Sequence, residues 1–111
     1  MDKRQEANQE ETPSSPQSVD EDQLVRLASL GRRSEFEVLI SRYEQKILSL
    51  CFRLLGNPDE ARELAADIFA EAFKSIKKFK RRSRFGTWLY QIALNLGHSR
   101  LRSLARQRAV F

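Results

Sequence analysis

The chain has 111 residues and a formal net charge of +5, a length that accommodates one domain and excludes several independent cores. It has no apolar run of about 18 residues or more, which excludes an ordinary membrane-spanning helix. Its single cysteine, Cys51, excludes an internal disulfide, and its polar, acidic start is unlike a secretory signal. A cytoplasmic protein with no membrane insertion is the expectation.

Residues 1–19, MDKRQEANQEETPSSPQSV, hold almost no large apolar side chain and cluster Ser, Pro, Gln and Glu. Such a segment buries too little to offset chain entropy and reads as a disordered acidic tail. The remaining stretch, 20–108, reads as one folded domain in which every segment has helical periodicity. A short helix is expected over about 20–30, with Leu24, Leu27 and Ala28 inward and Gly31 as its stop. Ser34 then opens SEFE, a capping box in which its hydroxyl serves the backbone at Glu37 and the Glu37 carboxylate reaches back. From there Phe36, Ile40, Tyr43, Ile47, Leu50 and Leu54 recur every three or four residues, the stripe of one long amphipathic helix.

The run GNPDE marks the next boundary. Gly56 suits a left-handed helix end, Asn57 an N-cap, Pro58 the first turn, and Glu60 the third position of a second capping box. The helix that follows, about 58–79, is apolar along Ala61, Leu64, Ala65, Ile68, Phe69, Ala72, Phe73 and Ile76. After the basic break KRRS, Ser83 is placed to cap a last helix reaching about Gln107, with Phe85, Trp88, Leu89, Ile92, Ala93 and Leu96 inward. The fold class is therefore all-α, a compact bundle of three to four helices.

Charge is segregated along this chain. Residues 1–22 hold seven acids against two bases, whereas from Lys74 onward there are eleven bases and no Asp or Glu. That imbalance points to a polyanionic partner for the C-terminal half, with nucleic acid as the leading class. The 58–79 helix carries the opposite pattern, Glu60, Glu63, Asp67 and Glu71 at helical steps, which is either a solvated face or a docking surface. The last helix presents Arg84, Thr87, Gln91, Asn95, His98 and Arg102 at the same kind of spacing. Cations hold phosphates, and amides and aromatic faces read or stack exposed bases, so this stripe suits single-stranded or melted nucleic acid. Phe85 and Trp88 sit at core spacing, while Phe79 and Tyr90 are freer to meet a base.

Cys51 and His98 stand alone, far from the four Cys or His ligands that a structural zinc takes. Neither a Gly-rich phosphate loop nor a nucleophile–base pair occurs, and paired carboxylates need a pocket before they can do acid–base chemistry. No cofactor, metal or enzymatic activity is expected.

GNPDEARELAADIFAEAFKSIKKF, followed by SRFGTWLYQIALN and SRLRSLARQR, resembles region 2 of sigma-70 family factors, in the extracytoplasmic-function (ECF) group of bacterial transcription initiation factors. The upstream stretch from Asp20 to Asn57 resembles that group's opening helices, so the resemblance covers about residues 20–108. It implies a sigma region 2 fold and two partners. The helix matching 58–79 would dock on the clamp helices of the core RNA polymerase β′ subunit, with Glu60, Glu63, Leu64, Asp67, Ile68 and Glu71 at the interface. The loop and helix matching 79–102 would recognise the promoter −10 element, taking a base flipped out of the non-template strand. Phe79, Lys80 and Ser83 match the loop, Arg81, Arg82 and Arg84 flank it, Thr87, Tyr90, Gln91, His98 and Arg102 lie along the helix, and Asn95 matches a base-contacting position.

The sequence departs from the family pattern at three places. Ala66 stands where Gln is usual, Glu63 where Asp is usual, and Ser99 where Asp is common. The resemblance also implies that residues 109–111 begin a linker, that the −35-reading region 4 lies outside this chain, and that an anti-sigma factor is a further partner. The alternative reading is a helical basic nucleic-acid binder with no polymerase partner, which explains residues 74–108 and leaves the carboxylates as a solvated face.

Overall fold

The computed structural model describes residues 20–80 and 82–109, and all its regular structure is helical among them. The expected disordered tail over 1–19, the site candidate Arg81 and linker residues 110–111 lie outside the described residues. The chain falls into two compact units, one ending at Arg42 and the other starting at Tyr43.

The first unit consists of α1 (Glu21–Ser29) and α2 (Arg33–Ser41), packed on each other. Helix α1 buries Leu24, Val25 and Ala28, and α2 buries Phe36, Leu39 and Ile40. Gly31, at φ 92°, takes the left-handed conformation that ends α1, which glycine adopts without the Cβ clash. The expected capping box at Ser34 does not form. The N-cap of α2 is Arg32 with no side-chain cap bond. Ser34 lies inside the first turn, where its hydroxyl donates to Glu35 Oε1 at 2.8 Å, and Glu37 pairs with Arg33 at 3.3 Å.

The second unit holds α3 (Glu44–Leu55), α4 (Pro58–Ser75), a 3-10 turn (Ile76–Lys78) and α5 (Phe85–Ala109). Its three α-helices contact one another pairwise. Ile47, Leu50 and Cys51 of α3, Ala61, Leu64, Ala65, Ile68 and Ala72 of α4, and Phe85, Leu89 and Ala93 of α5 are buried. The alanines keep the apolar face of α4 low. Gly97 allows a close approach as well, because a Cβ there would lie 2.6 Å from Leu54 Cδ1.

The single long helix expected from Ser34 through Leu54 is two helices, divided at Arg42 and Tyr43. No proline or glycine marks the break. Arg42 N–H donates to the Leu39 carbonyl three residues back, at 3.2 Å, and tightens the end of α2. Tyr43 then starts α3 with its ring edge-on to Phe85, centroids 5.5 Å apart, and its Cε2 fills the place where a Gly86 Cβ would stand, at 2.9 Å. The apolar period runs on through the break, which is why the sequence pattern conceals it.

At the α3–α4 boundary the expectation is met. Gly56 is left-handed at φ 71° and the Asn57 side chain accepts from Glu60 N–H at 2.9 Å. The second half of that capping box is diverted, since the Glu60 carboxylate binds Arg100 of α5. The last helix begins at Phe85, and Ser83 Oγ meets the Arg84 carbonyl at 3.4 Å where a cap had been expected.

These two N-termini give opposite expectations. Asn57→Ala removes a formed cap and should cost about 1 kcal/mol, lowering Tm by roughly 4–8 °C for a domain of this size. Ser34→Ala should stay within about 0.5 kcal/mol of wild type. Thermal melting followed by circular dichroism checks both, and equal losses would contradict the assignment of the two ends.

Candidate functional site

Helix α4 has two opposed faces because its residues alternate in helical register. Residues 61, 64, 65, 68 and 72 face inward, and 60, 63, 67 and 71 face outward. Leu64 at 1% exposure and Ile68 at 0% are therefore core residues. This corrects their placement on a docking surface: the packing of α4 within its unit leaves those side chains nothing to offer a partner. The outward carboxylates fit that role better, with Glu63 at 72% and Asp67 at 62% side-chain exposure.

These carboxylates are not a bare row of like charges. Arg100 reaches across from α5, its Nη1 donating to Glu60 Oε1 at 2.9 Å and its Nη2 to Asp67 Oδ2 at 2.8 Å, with Glu63 Oε1 at 3.8 Å. Glu71 has local partners, the Ser75 hydroxyl at 2.7 Å and Lys74 at 3.9 Å. Periodicity did not single out Arg100, because it lies off the polar stripe of α5. Nothing in the sequence marks it, since Arg100 lies 33 and 40 residues from the acids it binds and becomes meaningful only once α4 and α5 are known to be neighbours.

The junction of the 3-10 turn with α5 carries an aromatic cluster. Phe79 lies 5.0 Å from Trp88 and 6.2 Å from Phe85 between ring centroids, and Phe85 lies 5.6 Å from Trp88. Phe79 is thus half-buried and anchored by these rings, and Tyr90 is likewise half-buried. The loop beyond it exposes Lys80, Arg82, Ser83 and Arg84. Along α5, Thr87, Gln91, Asn95, His98 and Arg102 are all exposed. Gln91 Nε2 donates to Asn95 Oδ1 at 3.2 Å, one helical turn apart.

Cys51 is buried on α3, and that burial pushes its thiol above the ordinary range. Among the described residues no three His, Cys, Asp or Glu side chains converge as a metal site, and no helix is long and apolar enough to cross a membrane. A shallow apolar groove between α3 and α4, about 350 Å³, is lined by Leu48, Phe52, Pro58 and Ala61 with Arg53 and Arg62 at its edge. Sequence reasoning did not single it out, and Phe52 there is 48% exposed.

Residues 39–107 match the sigma-70 region 2 family. The chain belongs to this family. It is 37% identical over 78 residues to the ECF RNA polymerase sigma factor SigW of Bacillus subtilis, covering 70% of this chain and 42% of that protein. It is 34% identical over 85 residues to the RNA polymerase sigma-H factor of Pseudomonas aeruginosa, 77% of this chain and 44% of the relative. The chain thus spans under half the length of these relatives. A solved structure of an engineered region 2 of sigmaE in complex with GTAAAA superposes with a TM-score of 0.74 at 28% identity, covering 81% of this chain and 94% of that one. The sigma region 2 fold expected from the resemblance is therefore the fold observed.

Because Phe79 is anchored by Trp88 and Phe85, truncating it should be felt in the fold. Phe79→Ala should lose at least the ring-contact contribution of about 0.5–1.5 kcal/mol. A melting temperature equal to wild type would show that the ring is held only loosely in solution.

Proposed function

We propose that this region 2 domain recognises the −10 promoter element in transcription initiation, as part of a bacterial RNA polymerase holoenzyme. The observation that carries the reading is the exposure of Lys80, Arg82, Ser83, Arg84, Thr87, Gln91, Asn95, His98 and Arg102 in a stretch without an acid, in a chain whose fold matches a region 2 that was solved in complex with GTAAAA. Lys80, Arg82, Arg84 and Arg102 attract phosphates, with Arg81 between them in the sequence, and the absence of carboxylates removes repulsion from the strand. Phe79 at the loop and Tyr90 on α5 offer partly exposed aromatic surface, and Ser83, Thr87, Gln91, Asn95 and His98 supply hydrogen-bonding groups for exposed base edges. The partner is the melted non-template strand, and the domain contributes binding energy without catalysing a reaction.

The opposite charge of α4 suits a second partner. Glu60, Glu63, Asp67 and Glu71 form an acidic face complementary to basic side chains, and we assign them to docking on the β′ clamp helices of core polymerase. The reading without a polymerase gains from Arg100, which gives the carboxylates an internal role. It leaves the exposed Glu63 and Asp67 as solvated surface with no partner. An anti-sigma factor would compete for one or both of these faces, in the cytoplasm where transcription takes place.

Glu63 is the residue for testing the docking face, because it is the more exposed and lies 3.8 Å from Arg100, whereas Asp67 accepts a hydrogen bond from it at 2.8 Å. Glu63→Lys should weaken binding to core polymerase while shifting stability by no more than about 0.5 kcal/mol. A polarisation titration at wild-type affinity would favour the polymerase-free reading.

Asn95 tests base readout. Its hydrogen bond goes to an exposed neighbour on the same helix, so Asn95→Ala should melt close to wild type. Loss of a base contact is worth about 1–3 kcal/mol of discrimination, so the variant should bind single-base variants of its −10 strand with much reduced preference while retaining nonspecific affinity. Lower stability with preference intact would make Asn95 a structural amide.

A further inference from the structure

We propose that Arg100 is a positioning residue for the polymerase-docking face: it orders the α4 carboxylates for a basic partner without contacting that partner itself. The inference rests on the docking role assigned to α4 above. Four carboxylates at helical steps repel one another, and as free side chains they would spread over many rotamers. Arg100 opposes both tendencies. Its two terminal nitrogens divide between Glu60 and Asp67, two helical turns apart on α4, with Glu63 3.8 Å from the nearer one. The planar guanidinium presents its donors in a fixed fork, so both carboxylates are drawn to one geometry.

The exposures divide the roles. Arg100 is 23% exposed, whereas Asp67 is 62% and Glu63 72% exposed at the side chain. The cation is thus set beneath the anions, which remain open to a partner. Its bonds use Oε1 of Glu60 and Oδ2 of Asp67, leaving the second oxygen of each outside these contacts. Removing Arg100 adds one negative charge to the face and so strengthens long-range attraction, an effect screened beyond about 8 Å at physiological salt. It also returns two or three side chains to rotamer freedom, which a bound partner must then suppress. The second effect acts at contact distance and dominates.

The experiment titrates core RNA polymerase with the full chain carrying Arg100→Gln, Arg100→Lys or Glu63→Lys, with thermal melting in parallel. Arg100→Gln should raise Kd about tenfold, mainly through faster dissociation with association little changed, since ordering at the interface governs off-rates. Arg100→Lys keeps the charge but holds one carboxylate at a time, so it should melt near wild type and bind with intermediate affinity. A merely structural residue would move affinity only in step with melting. Wild-type affinity in Arg100→Gln, or full affinity in Arg100→Lys, overturns the proposal. If Arg100→Gln melts below the assay temperature, Arg100→Lys alone decides by the same criterion. Glu63→Lys separates the two readings: if it weakens binding and the Arg100 variants do not, docking stands and positioning falls. If Glu63→Lys binds as wild type, the docking face itself is lost.

Discussion

The two-faced character of α4 is the constraint on which the second unit depends. Its inward residues Ala61, Leu64, Ala65, Ile68 and Ala72 are 0–6% exposed, and each fully buried Leu or Ile contributes about 1.5–3 kcal/mol through the apolar surface it removes from water. That burial sets the rotation of α4 about its own axis. Once the rotation is set, residues 60, 63, 67 and 71 have to point outward. The acidic face is therefore a geometric consequence of the core. Small side chains do the remaining work: the alanines of α4 and Gly97 of α5 let neighbouring helices approach closely enough for Arg100 to reach across.

Electrostatics divides the same unit into two regions of opposite sign. The loop and α5 carry no carboxylate, so a polyanion approaching Lys80, Arg82, Arg84 and Arg102 meets no local repulsion. The acids are gathered on α4, where a basic partner would meet them. Arg100 is the exception in this division, a base of α5 committed to the acidic side. It joins the helix assigned to DNA with the helix assigned to polymerase through hydrogen bonds of 2.8 and 2.9 Å. The aromatic cluster of Phe79, Phe85 and Trp88 plays the complementary part at the other end of α5, tying the start of the basic loop to the core.

Much of this was legible in the amino-acid sequence, because local rules are written in local residues. Periodicity showed that each segment is helical, GNPDE marked the α3–α4 boundary, and the absence of acids beyond Lys74 marked the basic half of the chain, all without a partner element being known. Side-chain competition was not legible. Ser34 has the spacing of a capping box, yet its hydroxyl bonds to Glu35. Glu60 has the spacing to close a second box, yet its carboxylate goes to a base forty residues away. The break at Arg42–Tyr43 carries no glycine or proline signal, since it answers to Phe85 and Gly86 on a distant helix. The same limit applied to Leu64 and Ile68, whose family resemblance suggested a surface role until packing showed them buried. Sequence alone thus determined the helical class of the chain and where charge lies, because 3.6-residue periodicity and charge content are properties of the chain. Only the tertiary structure decided which side chains are spoken for, because Arg100, Phe79 and Tyr43 find their partners across helix boundaries that sequence spacing does not measure.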